Sequence, residues 1–122
     1  MNFKESRPIY LQIADRIMDE IMQHAYSEGG RIPSVREYAA TVEVNANTVV
    51  RSFDWLQQQE IIFNRRGIGY FVSEGACGTI SRLRRREFEE EEFPEMSRKM
   101  QMLGITADDI DRLYKQFIDS GK

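Results

Sequence analysis

The chain predicts a mainly α fold with a small β-hairpin wing, a winged helix-turn-helix domain followed by a C-terminal helical dimerisation tail. Three stretches predict it. Residues 44–58, VNANTVVRSFDWLQQ, place Val49, Phe53 and Leu56 at i, i+4 and i+7, one face of a 3.6-residue period. Just upstream, Ser34 and Glu37 have the spacing of a capping box, in which each side chain satisfies the other's exposed backbone donor. Downstream, strand formers flank the glycines of RRGIG at 65–69, the pattern of a hairpin.

The totals set the class. With 122 residues, 41% hydrophobic and 30% charged, the chain is globular rather than disordered. No apolar run approaches the roughly 20 residues of a membrane span, and the opening MNFKESRPIY has no stretch of signal-peptide type. One cysteine, Cys77, cannot staple the fold or build a zinc site alone. A cytoplasmic protein without disulfides is expected. The net charge of −3 runs against nucleic-acid binding, whose domains are usually basic. The distribution says otherwise locally. Residues 61–73 hold two arginines and no acid, and RLRRR at 82–86 precedes five glutamates in 87–92. Local positive patches bind phosphate in a protein of acidic total.

From the N-terminus, residues 8–25 read as a helix opened by Pro8, whose missing N–H costs nothing in a first turn. Tyr10, Ile13, Ala14, Ile17, Met18, Ile21 and Met22 form its apolar stripe, and Asp15, Arg16, Asp19, Glu20 and Gln23 its outer face. The methionines are core filler. His24 ends this helix with no second ligand at helical spacing, so it is a surface or C-terminal capping residue rather than a metal ligand.

The Gly pair of SEGGR at 27–31 makes a loop. A short helix follows from Val35 to about Thr41, with Tyr38 and Ala39 inward. After a turn at 42–44, Asn45 caps the next helix. Two short helices joined this way are a helix-turn-helix. The second helix turns Asn47, Arg51, Asp54 and Gln58 away from its apolar back. Asn pairs with adenine edges and Arg with guanine edges or phosphate, although an ordinary surface helix has the same pattern. The hairpin adds Arg65 and Arg66 at its tip and glycines for close backbone approach. Helix and basic tip together point to DNA.

Ser73 to Gly78 is a small-residue linker, which divides the chain into a winged domain at 1–75 and a two-helix tail at 76–122. In the tail, Ile80, Leu83, Phe88, Phe93, Met96, Met100 and Leu103 lie along one irregular seam. Pro94 interrupts it, and a kink or break is expected there. RLRRREFEEEEF spaces opposite charges for i,i+4 pairs such as Arg85 with Glu89 and Arg86 with Glu90, the mark of a solvated face. Gly104 ends that helix. Thr106 opens another, with Asp108 and Asp109 in its first turn and Ile110, Leu113, Tyr114, Phe117 and Ile118 on its apolar face. Two helices cannot bury two apolar sides alone. A second copy of the tail is the expected partner, giving a two-fold homodimer through Leu83, Phe88, Phe93, Met96, Met100, Leu113 and Phe117.

Four pieces, PIYLQI at 8–13, RIPSVREYA at 31–39, VNANTVVRSFDWL at 44–56 and RRGIGYFV at 65–72, resemble in order and spacing the GntR family of transcription regulators, and within it the small YtrA-type subfamily. The resemblance covers residues 7–73 well and the tail more loosely. It implies a bacterial, sequence-specific winged-helix repressor that binds an inverted-repeat operator as a dimer, often at a transporter operon. It carries DNA contacts onto Arg36 of the PSxRE segment, onto Asn47, Thr48 and Arg51 of the recognition helix, and onto Arg66 and Gly67 at the wing. Two positions depart from the pattern. Ala46 stands where many members have arginine, and Glu60 stands where a glycine usually precedes the wing. Because a non-glycine residue at positive φ costs about 1 kcal/mol, a different build is expected at that corner.

Two other function classes have their own sequence requirements. A winged-helix protein-interaction module without DNA binding would fit the acidic total. An enzyme would need a Cys–His or Ser–His pair, paired carboxylates or a phosphate-cradling loop. Gly67-Ile68-Gly69 precedes a strand rather than a helix and fails the dinucleotide fingerprint. No cofactor is expected. One route for a small-molecule effector is an apolar site between tail and wing, where Met96, Met100 and Met102 would repack; the alternative is that these methionines fill the dimer core.

Overall fold

The computed structural model describes residues 6–121. The reading of the extreme N-terminus as free of a signal segment lies partly outside the described residues. The elements run α1 (Ile9–Met22), α2 (Val35–Val42), α3 (Ala46–Gln58), β1 (Ile62–Arg65), β2 (Gly69–Val72) and α4 (Ala76–Glu87). A π-helical segment (Phe88–Glu92), α5 (Phe93–Met102) and α6 (Ala107–Asp119) follow. Contacts divide the chain into one compact unit ending at Arg85 and another beginning at Arg86.

The first unit is built on the periodicities of its helices. Pro8 stands just outside α1, and its carbonyl accepts the N–H groups of Leu11 and Gln12. Ile13, Ala14, Ile17, Met18 and Ile21 of α1 meet Val49, Phe53 and Leu56 of α3 in the core, joined by Tyr38 and Ala39 of α2. Burial of such side chains contributes roughly 1.5–3 kcal/mol each. Ser52 is the one polar residue in the core of the described chain. Its Oγ lies 2.6 Å from the Tyr10 carbonyl and 3.2 Å from that of Thr48, tying α3 to the start of α1. The Tyr38 hydroxyl donates to Glu20 at 2.9 Å. Burial, then the Glu20 carboxylate, pushes that phenol above its ordinary range.

Helix ends account for two corrections. α1 stops at Met22, three residues before the expected Ala25. His24 sits at φ 62°, its N–H bonded to the Ile21 carbonyl and that of Ala25 to Glu20, a Schellman closure. α3 ends the same way. Glu60 takes φ 61°, with its N–H on Gln57 and that of Ile61 on Leu56. The corner before the wing is therefore not built differently for lack of glycine. Two backbone bonds and the full burial of Ile61 outweigh the strain of about 1 kcal/mol.

β1 and β2 pair antiparallel, Ile62 with Val72 through Arg65 with Gly69. A third segment joins the hairpin. The loop after α1 runs along β2, with Gly29 N–H on the Val72 carbonyl, Val72 N–H on Gly30, Ile32 N–H on Tyr70, and Arg31 opposite Phe71. Nor is 73–78 a loose linker. Ala76 and Ile80 of α4 are fully buried in the first unit's core, with Leu83 packed beside them. Arg84 reaches Asp19 at 2.7 Å and the Asp15 carbonyl at 3.1 Å. The Glu28 carboxylate accepts the N–H of Gly75 at 2.7 Å and of Cys77 at 3.4 Å, satisfying donors that a helix start leaves open. The first compact unit thus runs to Arg85, ten residues past the boundary expected at residue 75. Leu83, expected in the seam between two chains, lies half-buried against its own winged unit.

In the second unit, the chain stays helical through Pro94 and does not break into a loop. The π-helical segment ends at Glu92, two residues before Pro94 in the first turn of α5, so the hydrogen-bond ladder widens where proline supplies no N–H. Gly104 at φ 69° closes α5, and Thr106 with Asp109 forms a capping box for α6. Those N–H and hydroxyl donors hold the Asp109 carboxyl below its ordinary range.

Candidate nucleic-acid interface

The helix-turn-helix is pinned at both helix starts. Ser34 Oγ accepts the Glu37 N–H at 3.2 Å while Glu37 accepts the Ser34 N–H at 3.0 Å. These bonds hold the Glu37 carboxyl low. They also fix Arg36, exposed at the second position of α2. Asn45 Oδ1 accepts the Asn47 N–H at 2.7 Å, so α3 begins with Ala46 and Asn47 exposed and Thr48 half-buried.

Arg51 lies one turn further along α3 and is exposed. Its guanidinium carbon stands 4.1 Å from the centre of the Tyr10 ring, a cation–π distance. The two line a cleft of about 250 Å³ with Asp54, Trp55 and Gln58. Tyr10 opens the apolar stripe of α1 in the sequence. Its partnership with Arg51 spans 41 positions of sequence and leaves no local trace.

At the wing, Arg65 closes β1 opposite Gly69, and Arg66, Gly67 and Ile68 make the turn. The Ile68 N–H bonds the Arg65 carbonyl at 2.9 Å. Gly67 takes φ 78°, which this turn position requires of glycine. Arg65, Arg66 and Gly67 are exposed. The Arg65 guanidinium lies 5.5 Å from the Phe71 ring, which stacks on Phe63 at 5.7 Å. All seven residues singled out as DNA contacts therefore lie in the first unit, outside its core. The tail residues singled out for dimerisation lie in the second unit apart from Leu83. Phe88, Phe93, Met96, Leu113 and Phe117 are exposed, and Met100 is half-buried.

A family profile described as bacterial regulatory proteins, gntR family, matches residues 9–72. The chain belongs to the GntR family. This GntR regulator is 34% identical over 119 residues to the HTH-type transcriptional regulator YhcF of Bacillus subtilis, covering 98% of this chain and 97% of that one. It is 35% identical over 77 residues to the HTH-type transcriptional repressor YtrA of the same organism, covering 63% of this chain and 59% of that one. A GntR-family regulator from Bacteroides thetaiotaomicron shares its structure at TM-score 0.82 and 50% identity, covering 94% of this chain and all (100%) of that one. The DNA-binding domain of AraR, solved in complex with operator ORX1, matches at TM-score 0.53 and 25% identity over 55% of this chain and 81% of that one. These relatives are transcription regulators rather than enzymes, and the family is DNA-binding. Among the described residues no helix is long and apolar enough to cross a membrane.

Proposed function

We propose that this GntR protein is a cytoplasmic, homodimeric repressor that binds an inverted-repeat operator, with a transporter operon as its target. The observation that carries the DNA reading is the exposed Asn47–Arg51 face of α3, in one compact unit with the arginine-tipped wing. Asn47 and Thr48 read base edges, while Arg36, Arg51, Arg65 and Arg66 hold phosphates or guanine edges and Gly67 lets the wing backbone approach. The AraR domain bound to its operator supports this use of the fold, and the relative YtrA supports repression.

The dimer rests on the tail. Leu113, Tyr114, Phe117 and Ile118 of α6 are 45–64% exposed, an apolar face that a second copy would cover by two-fold symmetry. Phe88, Phe93 and Met96 extend the apolar surface of the same unit. Two half-sites one helical turn apart would then meet two recognition helices.

Selection of bound duplexes from a random pool, followed by gel shift of the selected sequence, tests the reading. A palindromic selected site, bound with a steep fall in affinity as salt rises, is the expected outcome. No shift at low salt from a folded dimer would overturn it.

A further inference from the structure

The third edge of the wing carries one side chain that reaches across it. Arg31 stands opposite Phe71. Tyr70, the preceding residue on β2, turns inward and meets the Phe53 ring edge-on at 4.8 Å. Alternation along a strand then puts Phe71 and Gly69 on the opposite, outer face. A Cβ added at Gly69 would lie 2.9 Å from Arg31 Nε and 3.2 Å from a terminal guanidinium nitrogen. The Arg31 guanidinium therefore rests directly over the backbone of Gly69, in space that any other residue would fill.

Across the ladder, Gly69 pairs with Arg65, whose guanidinium leans over Phe71. Two arginines from two different edges of the sheet thus share one outer face beside the Arg66–Ile68 turn. Arg31 is exposed, and among the described residues no hydrogen bond or ion pair holds its guanidinium. Its charge also helps hold the Glu37 carboxyl low, so it lies within electrostatic reach of the first turn of α2, where Arg36 projects. A planar cation seated between the start of α2 and the wing, with its donors unsatisfied by the protein, is suited to a phosphate.

We propose that Arg31 is an additional contact to the DNA backbone, seated by Gly69. The proposal rests on the DNA-binding reading above and adds a residue outside the helix-turn-helix and the wing turn. A phosphate contact supplies affinity without sequence information, and each one releases condensed counterions.

The test compares the full-length protein with Arg31→Ala and Arg31→Lys on two duplexes, one selected by the wild type and one scrambled, over a salt series. Thermal melts confirm folding, and the exposed Lys variant keeps the charge should the Ala variant fold poorly. Arg31→Ala should weaken binding roughly tenfold on both duplexes and lower the slope of log affinity against log salt by about one. Arg31→Lys should keep the slope and lose less affinity. Unchanged affinity and slope in Arg31→Ala, with the wild type binding, would overturn the proposal alone. A loss confined to the selected duplex would overturn the backbone role. Failure of the wild type to bind any duplex would overturn this proposal together with the DNA-binding reading beneath it.

Discussion

The two units of the chain treat their apolar side chains in opposite ways. In the winged unit Ile17, Phe53, Leu56 and Ile80 are at most 1% exposed. In the second unit α5, α6 and the π-helical segment bury no residue fully. Phe117 is 56% exposed and Met102 is 87% exposed. Both units have comparable local devices, a capping box each and glycine or Schellman closures. Good helix ends therefore do not make a core. Layered elements are needed to exclude water from two sides, and the winged unit has four helices and a hairpin for this purpose. The tail is complete as secondary structure and incomplete as a packed body.

The largest expected effect breaks the comparison on its stable side. Phe53→Ala leaves a cavity beneath Tyr38 and Tyr70 and should cost about 3–5 kcal/mol in urea unfolding. A much smaller loss would mean that the winged core is loosely packed. On the other side, the proposed tail-clasped dimer predicts that Leu113→Asp or Phe117→Asp yields a monomer in sedimentation while leaving the winged unit's near-UV signal intact. Retention of the dimer would place the clasp elsewhere.

Next in size comes the recognition surface. Arg51→Ala should weaken specific DNA binding by about 1–3 kcal/mol in gel shift. Tyr10→Ala, which removes the ring beneath that guanidinium, should lose part of the same affinity, and the double variant should be no worse than Arg51→Ala. Full additivity would show that the Tyr10–Arg51 stack does not position the arginine.

The smallest effect concerns pH and touches both units. Glu28, Glu37 and Asp109 accept N–H groups at helix starts, and their carboxyls are held below the ordinary 4.5 for Glu and 3.8 for Asp. A group whose folded value is depressed gives stability that is fully present above its unfolded value. That stability is lost as pH falls through the folded value. Thermal stability should therefore be flat near neutrality from these groups and decline below about pH 4.5. Glu28→Gln should make the decline shallower for the winged unit. An unchanged pH profile would show that the α4 cap contributes nothing.

Much of this was legible in the order of residues. Ser34, Asn45 and Thr106 act within three positions of themselves. Val49, Phe53 and Leu56 recur with the helix turn, and Gly67 marks a bend that only positive φ can make. Such features depend on neighbours along the chain, and side-chain type and spacing encode them directly. SEGACG reads as a linker by composition, yet the first compact unit runs on to Arg85. Its burial depends on Glu28, 47 positions before Gly75, and on a core that Ala76 and Ile80 enter from outside their own segment.

The sequence by itself determined the helices, the hairpin, the capping pairs and the arginine-bearing face, since each arises from interactions over at most four residues or one tight turn. Only the tertiary structure decided that Tyr10 lies under Arg51, that Arg31 lies over Gly69, that the loop after α1 becomes a third edge of the wing, and that α4 belongs to the first core. Those contacts join groups tens of residues apart. Chain closure and core packing bring them together, and neither leaves a periodic mark on the segments that meet.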